Sequence, residues 1–503
     1  MNLSRTLAAA ALLVLLPAPA LAQQDLGDVR FVNSGAPAAQ EPFLRGLALL
    51  HNFEYGAAAA AFREAQAADP GFVMAYWGEA MTYNHPVWME QDAAAARAVL
   101  ARLAPTRAGR LARARTSRER AWIEAVETLY GEGDKEARDF LYSERMHALF
   151  DSDPADVDAR AFYALSLLGL AHQGRDHVLY MRAAGLLEEA FRAHTRHPGV
   201  LHYLIHAYDD PVHAPLGLRA ARLYGGVASD AAHAVHMTSH IFLPLGLWDE
   251  SVEANRASMA SVNRARAAAG MPPTGCGHAA EWLVYSEYQR GRADAGDTQV
   301  DLCRAGAIAE LAQPALGGSG AVEPGRSFML SWAGMAVRRL IETGHWTGAE
   351  GLALPEGRYL ATRLTLAYGD LLAAGTDAVR IRAARARLEV AHAAWAAAGD
   401  AAPAANRRGE IILLQARALD QLASGEAEAG LATLRRAAET ERDIPAEFGP
   451  PLVEKPSYEL LGDVLARMGR SEEARQAYAS ALALAPGRRL AMEGERAEAV
   501  ATK

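Results

Sequence analysis

The stretch KPSYELLGDVLARMGRSEEARQAYASALALAPGR, residues 455–488, decides the fold class of this chain. Large, small and helix-stopping residues follow one another there in the order Tyr458, Leu461, Gly462, Ala474, Tyr478, Ala481 and Pro486. The small residues let two helices, A and B, approach closely, and the aromatic ring fills the space toward the next unit. The proline then ends helix B, because it lacks the backbone N–H that a helix needs. The stretch therefore predicts one unit of a stacked helical repeat.

The same pattern recurs along most of the chain. Near the N-terminus it falls on Gly46, Ala58, Phe62, Ala65 and Pro70. Weaker copies end their B helices at Asp153-Pro154 and His197-Pro198, and glycine-containing turns lie at 246–248, 291–292, 344–346 and 424–425. The pattern resembles the tetratricopeptide repeat, closely at the two ends of the chain and more loosely in the middle. This resemblance implies a right-handed superhelix with a concave groove lined by the A helices.

The fold class predicted from these repeats is all-α, an α-solenoid of helix-turn-helix units. Almost no segment alternates apolar and polar residues with a period of two, so strands are not expected. A chain of 503 residues exceeds the ~250–300 residues of an ordinary single core, whereas each unit of a repeat array packs only on its neighbours. The predicted divisions are a signal peptide at 1–22, a linker at 23–40, a repeat array at 41–310, a linker at 311–326 and a C-terminal array at 327–503, which includes the unit at 455–488.

The first 22 residues have the features of a cleaved export signal. A short positive segment ends at Arg5, an apolar run covers Ala8 to Leu16, and Ala20-Leu21-Ala22 forms a small-residue cleavage site. The apolar run is too short for a stable membrane anchor. We therefore expect cleavage after Ala22 and a soluble protein in the periplasm or outside the cell.

Charge and cysteine content narrow the possible functions. The formal net charge of −9 argues against nucleic-acid binding, which normally needs a basic surface. Cys276 and Cys303 could pair in an oxidising compartment. The sequence leaves open whether they do, and it also leaves open the oligomeric state.

The histidines from 202 to 240 follow the period of the repeat. His202 and His206 lie one helical turn apart, and so do His236 and His240. The second pair follows the first by 34 residues, since 236 − 202 and 240 − 206 both equal 34. The two pairs therefore occupy equivalent positions on consecutive A helices. In the tetratricopeptide family these positions, the fifth and ninth of a unit, face the groove.

Further polar and aromatic residues are predicted to face the same groove. Asp209 and Asp210 follow His206 by one turn, and His233 shares a helix face with His236. In the next unit His278 is equivalent to His233, and Glu281 and Tyr285 take the fifth and ninth positions. Trp77 takes the fifth position of its own unit, as His202 does. His51 and His85 are also 34 residues apart and are expected to project inward from the ends of the first two A helices.

Several imidazoles and carboxylates on one wall are typical of a transition-metal site. Neutral histidines with one or two carboxylates suit Zn, Cu, Fe or Ni. The predicted ligands are His202, His206, His236, His240, Asp209 and Glu281. The alternative interpretation is a polar groove in which these side chains bond to one another and to water. The zinc-protease motif HExxH does not occur in the sequence.

The segments HPGVLHYLIHAYDD (197–210) and HMTSHIFLPLGLW (236–248) resemble those of exported bacterial tetratricopeptide proteins without an assigned activity. Three functions stay open. The first is a binding or scaffold protein that holds a peptide, a protein partner or a small ligand in its groove, with the histidines as a metal or polar site. The second is a metal-dependent enzyme in which Asp209 or Glu281 acts as a base. The third is a purely structural assembly protein.

Overall fold

The computed structural model describes residues 24–312, 327–399, 403–445 and 448–501. The predicted signal peptide and most of the second predicted linker lie outside these ranges. The N-terminal part contains α1 (Pro37–His51), α2 (Tyr55–Ala68), α3 (Val73–Met81), α4 (Ala93–Leu103), α5 (Arg107–Arg113), α6 (Ser117–Leu129), α7 (Lys135–Ser152), α8 (Val157–Leu168), α9 (His177–Phe191), α10 (Pro198–Tyr208), α11 (Ala214–Val227), α12 (Ala232–Met237), α13 (Ser239–Phe242), α14 (Trp248–Ala268), α15 (His278–Gln289) and α16 (Ala293–Ala312).

The remaining helices form the C-terminal part. They are α17 (Phe328–Thr343), α18 (Leu360–Ala373), α19 (Ala378–Ala397), α20 (Pro403–Ala423), α21 (Ala427–Arg442), α22 (Ser457–Arg467), α23 (Ser471–Leu484) and α24 (Arg489–Ala501). Consecutive helices pack against each other along both parts, so the predicted all-α helix-turn-helix solenoid is confirmed. No helix in the described part of the chain is long and apolar enough to cross a membrane.

Side-chain caps fix where many of these helices begin. Asp134, Asp156 and Asp176 each accept a hydrogen bond from a backbone N–H in the first turn of the helix that follows. His197 does the same for α10, where its Nδ1 accepts from the N–H of Val200 at 3.3 Å. Such caps satisfy N–H groups that have no partner within the helix. At α10 the cap and Pro198 together set the start of the helix that carries the first histidine pair.

A short hairpin interrupts the helices after α3. Strands β1 (Asn84–His85) and β2 (Glu90–Gln91) pair antiparallel around the 3₁₀ turn Pro86–Trp88. Pro86 cannot continue a helix, and so His85 lies in a strand and not at the end of an A helix. The prediction that His85 projects inward from α3 is therefore wrong. Its half-buried ring stacks on Tyr55, with the ring centroids 4.0 Å apart.

The first described residues are part of the core. Residues 24–36, where the sequence predicts a linker, have no helix, but Leu26 and Phe31 are buried. Asn52 donates from Nδ2 to the carbonyl of Leu26 at 2.9 Å, and Asp28 N–H donates to the carbonyl of Arg196 at 2.8 Å. This segment therefore joins the beginning of the array to the turn before α10.

The N-terminal array curls until its first helix contacts a much later one. α1 packs against α10, and His51 Nδ1 lies 2.9 Å from the hydroxyl of Tyr203. The face of α10 that was predicted to line an open groove is consequently enclosed: His202 is 0% exposed and His206 is 2% exposed. The curl therefore buries the histidines that the sequence places on a groove wall.

Cys276 and Cys303 form a disulfide, which settles the pairing that the sequence left open. It joins the residue two positions before α15 to the middle of α16, inside a small core that includes Val284, Val300 and Trp332. The C-terminal array then contacts this region again. Arg489 N–H donates to Oε1 of Gln289 at 2.8 Å, and the two arrays therefore meet directly.

Candidate metal centre

Two pairs of imidazole rings meet where α10 contacts the α12–α13 segment. α10 carries His202 and His206 with their ring centroids 4.9 Å apart. α12 and α13 carry His236 and His240 with centroids 5.1 Å apart. The closest approach across the two pairs is that of His206 to His240, at 5.3 Å with an interplanar angle of 82°. The predicted convergence of both pairs is therefore present.

Each of these four rings is held by an oxygen acceptor at Nδ1. His202 donates to the carbonyl of His51 at 2.7 Å, and His236 donates to Oδ1 of Asn255 at 2.6 Å. The Asn255 amide is itself oriented, because its Nδ2 donates to the carbonyl of Ser251 at 2.8 Å. A carbonyl oxygen only accepts, so each Nδ1 carries the hydrogen and each Nε2 has a free lone pair.

Asp209 orients the other two rings together. Its Oδ2 accepts from Nδ1 of His240 at 2.8 Å and from Nδ1 of His206 at 3.2 Å. Its second oxygen is paired with Arg175. Burial raises the pKa of the Asp209 carboxyl, but Arg175 and the two imidazole donors outweigh burial and hold this pKa well below its usual range. Asp209 is therefore ionised and serves both histidine pairs.

The Nε2 atoms of five histidines are buried without a hydrogen-bond partner among the described protein groups. They belong to His202, His206, His233, His236 and His240. Buried polar atoms are nearly always bonded, so five such atoms in one place need an explanation. Burial lowers the pKa of His202, His233 and His236 well below the usual value and that of His240 to about 4. These rings are neutral at pH 7 and can donate lone pairs.

The ligand atoms fall into groups of three that are spaced for a metal ion. His202, His206 and His233 form one group, and His236, His240 and His278 form a second, with all ligand atoms of a group within 4.8 Å of one another. His206, Asp209 and His240 meet the same criterion. Thus His233 and His278, which the sequence placed only along the groove, complete the two histidine triads.

Two phenyl rings from distant parts of the chain cover this cluster. Phe53 lies against His202 and His233, with centroid distances of 4.2 and 5.7 Å. Phe448, from the C-terminal array, lies 5.0 Å from His240. A cavity of about 490 Å³ adjoins Asp209 between the two arrays, and Arg175, Trp248 and Tyr285 line it as well. Apolar rings therefore cover part of the cluster, and Asp209 separates its histidines from the cavity.

The comparisons with known proteins concern the repeat. A family model described as "Tetratricopeptide repeat" matches residues 456–488. The chain therefore contains a tetratricopeptide repeat at these residues. Its α22 and α23 are the A and B helices of the matched unit.

Two solved structures of low sequence identity match most of the chain. The APC/C hetero-tetramer Cut9–Hcn1 is 11% identical, with coverage of 93% of this chain and 78% of that chain and a TM-score of 0.34. Yeast Tom70 is 11% identical, with coverage of 92% and 96% and a TM-score of 0.31. No curated protein sequence matches the chain.

Glu281 does not join the histidine cluster. It is half-buried beside Ser331 and Arg338, and burial raises the pKa of its carboxyl to about 7. His278, one turn earlier on α15, occupies the position near His236, where the ring centroids are 4.6 Å apart. Glu281 is directed instead toward α17. The prediction of Glu281 as a ligand or base in this cluster is therefore wrong.

Other predicted groove residues have structural partners elsewhere. Trp77 is fully buried and packs edge-on against Trp122, because the incoming chain at Phe31 covers it. Tyr285 is buried beside Trp248 and lines the cavity near Asp209. Trp77 was therefore wrongly placed in the groove, whereas Tyr285 faces an internal space between the arrays.

His51 and Asp210 belong to neighbouring polar clusters. His51 Nε2 lies 3.0 Å from Oδ1 of Asp158, which also contacts His197 at 3.3 Å. Asp210 accepts from His213 Nδ1 at 2.8 Å. His51 is fully buried, so it does not line an open groove. Its contribution to the centre is its backbone carbonyl, which holds His202.

The sequence reasoning missed several residues that shape the centre, among them Arg175, Asn255 and Phe448. Arg175 precedes Asp209 by 34 residues, so the repeat period that aligned the histidines would also have found this ion pair. Asn255 and Phe448 carry no such signal. Their positions depend on how α14 and the C-terminal array pack against the histidines.

Proposed function

We propose that this protein is an exported tetratricopeptide scaffold that binds a transition metal, Zn, Cu, Fe or Ni, through the histidine cluster of α10, α12 and α13. One observation carries the proposal. The Nε2 atoms of His202, His206, His236 and His240 are buried without protein partners, while the Nδ1 atom of every one of these rings is held by an oxygen. This is the arrangement of metal-binding histidines, whose second nitrogen donates to a carboxylate or carbonyl.

The energetics favour an ion over an all-protein network. A buried polar atom that loses its hydrogen bond costs about 1–3 kcal/mol. The described protein groups provide no donor for these Nε2 atoms. Burial lowers the pKa of His202, His236 and His240, so an ion does not have to displace protons from these three rings at pH 7. A bound cation would satisfy several lone pairs at once.

The ligand set also favours a second, related candidate, a metal-dependent enzyme. Three protein ligands with a fourth position open are typical of catalytic zinc sites, whereas structural sites use four. Each histidine triad has three ligands, and Asp209, which orients one ring of each triad, lines a cavity. Asp209 is a weak candidate for the base, because Arg175, His206 and His240 already occupy its oxygens.

The scaffold and export parts of the proposal have their own support. Tetratricopeptide arrays commonly bind protein partners, so a peptide, a protein segment or a small ligand between the arrays is the proposed occupant of the space beside Asp209. The features of residues 1–22 favour export to the periplasm or the medium. The disulfide of Cys276 and Cys303 is in keeping with an oxidising compartment.

Metal analysis of the untagged mature protein tests this proposal. After exposure to Zn, Cu, Fe and Ni salts and removal of excess metal, we expect at least one tightly bound ion per chain by elemental analysis. The double variant H206A/H240A should lose it. The variant H206Q/H240Q keeps more side-chain volume and serves as a second test if the alanine variant does not fold.

The matched control is H147A/H345A, which removes two exposed histidines. It should retain the wild-type metal content, and circular dichroism should show native helix content for each variant. Wild-type protein without metal after all four exposures would contradict the proposal. An equal loss of metal from the control and the cluster variants would contradict it as well.

A further inference from the structure

The histidine cluster consists of two similar half-sites. We infer that it binds two metal ions, a pair of copper ions, each held by three imidazoles. Site A is His202, His206 and His233, and site B is His236, His240 and His278. This inference rests on the proposed metal-binding function and specifies the number of ions and their kind.

The two sites repeat one construction along the solenoid. Each site has two histidines that lie one helical turn apart on the same A-helix segment. Its third histidine comes from the first turn of the next A helix. His233 is the second residue of α12, and His278 is the first residue of α15. The α12–α13 segment thus supplies the third ligand of site A and the pair of site B. The same arrangement of helices therefore gives each site three imidazole nitrogens.

The spacing favours two ions over one. An ion about 2.0–2.1 Å from each imidazole nitrogen brings two nitrogens no more than about 4.2 Å apart. The ligand atoms of each triad already lie within 4.8 Å of one another, so small ring rotations complete either site. Among the residues that the structure describes, the six histidines form two groups of three, and the group that joins the two sites, His206, Asp209 and His240, contains no third histidine.

The sites are close enough to act as a pair. His206 of site A and His240 of site B have centroids 5.3 Å apart, and His233 and His236 have centroids 6.1 Å apart. A single carboxylate oxygen, Oδ2 of Asp209, accepts from one ligand of each site. The rings of the two sites are therefore in contact and share an orienting group.

The nitrogen ligands favour copper, because the affinity of a given site for divalent first-row metals is highest at Cu²⁺. Imidazole nitrogen suits copper and zinc, whereas manganese and magnesium prefer oxygen ligands. All six ligands are imidazoles, which bring no negative charge to a bound ion, and the charge of Asp209 is already balanced by Arg175. Two cuprous ions add only two positive charges, and two cupric ions can share a bridging hydroxide at their open positions. His278 is exposed, so site B provides a path for ions and for such a small anion.

Copper loading with electron paramagnetic resonance tests the pairing. Wild-type protein loaded with Cu(II) should contain two copper ions per chain, and its integrated signal should account for only a small part of them, because hydroxide-bridged cupric ions couple magnetically. H233A and H278A should each contain one copper ion per chain, and their signals should account for all of it. H147A should match the wild type.

Each other outcome has a definite meaning. One copper per wild-type chain with a full signal would overturn the pairing and leave the proposed metal-binding function intact. Two copper ions with a full signal, unchanged in both H233A and H278A, would mean binding elsewhere and also overturn the inference. Absence of metal from the wild type would overturn the pairing together with the proposed function.

Discussion

The Asp209 side chain balances the charge of Arg175 and also orients two histidine rings of the centre. One of its oxygens faces Arg175, and the other accepts from the two rings that lie closest across the histidine pairs. Because the carboxylate accepts at Nδ1, it directs the lone pair of Nε2 toward the cluster. An acceptor of this kind raises ligand basicity and fixes the ring orientation.

Replacing Asp209 with Asn tests this role. The amide keeps one acceptor oxygen but loses the charge that faces Arg175. We therefore expect metal affinity to fall about 10–100-fold, the typical effect of removing an outer partner of a ligand. Competition with a chelator of known affinity measures the change. Asp151→Asn, at an exposed position, is the control, and equal affinity of D209N and the wild type would rule out this role for Asp209.

At the scale of the helices, Tyr478 explains why the sequence pattern of residues 455–488 specifies a repeat unit. Its ring lies between Gly462 on α22 and Gly494 on α24. A Cβ atom at Gly462 would come within 2.6 Å of the ring, and one at Gly494 within 2.4 Å. The hydroxyl donates to Asp463 at 2.8 Å. The large residue and the small residues of the repeat pattern therefore pack directly against each other.

Gly462→Ala is expected to destabilise this unit. The added methyl group meets the Tyr478 ring, and overpacking of this kind costs about 1–3 kcal/mol. Gly185→Ala in α9 is the matched control, because a Cβ there has no neighbour within 4 Å and alanine favours a helix interior over glycine by about 0.5–1 kcal/mol. Urea unfolding followed by circular dichroism should give midpoints that move in opposite directions. A G462A midpoint at or above that of the wild type would contradict the packing argument.

At the scale of the whole molecule, Arg488 connects the first and last parts of the C-terminal array. Its fully buried guanidinium donates to Glu459 of α22 at 3.0 Å and to Glu342 of α17 at 3.3 Å. Lys455 also donates to Glu459 at 2.7 Å. Burial raises the pKa of the Glu459 carboxyl, but Arg488 and Lys455 outweigh burial and lower this pKa to about 2.

The sign of the resulting pH dependence follows from that lowered pKa. In the unfolded chain the pKa of the Glu459 carboxyl is near its ordinary value of 4.5. Its contribution to the free energy of unfolding is therefore complete above pH 4.5 and is lost as the pH falls toward 2. A lowering of this size corresponds to about 3 kcal/mol, at 1.36 kcal/mol for each pKa unit.

Comparison of the wild type with Glu459→Gln isolates this contribution. E459Q should be less stable at pH 7, and the difference between the two proteins should shrink by about 3 kcal/mol between pH 6 and pH 2. Urea midpoints at several pH values measure it. Glu439→Gln is the exposed control and should follow the wild-type curve. A constant difference between E459Q and the wild type would mean that Glu459 keeps its ordinary pKa in the folded protein.

The sequence by itself determined the properties that depend on local periodicity. Helix-forming segments, the large and small positions of the repeat, and the 34-residue spacing of His202, His206, His236 and His240 are all visible in the chain. A fixed period places equivalent residues on the same face of equivalent helices. The fold class and the convergence of the four histidines could therefore be predicted before the tertiary structure was considered.

Only the tertiary structure decided which groups surround those histidines. The contact of α1 with α10 turned a groove wall into an enclosed cluster and supplied the carbonyl of His51. The packing of α15 brought His278 to the cluster and directed Glu281 toward α17. Such contacts join residues far apart in sequence, and repeat spacing contains no information about how far the solenoid curls. The physical reason is that periodicity sets the face of a helix, whereas the partners of that face depend on packing between distant units.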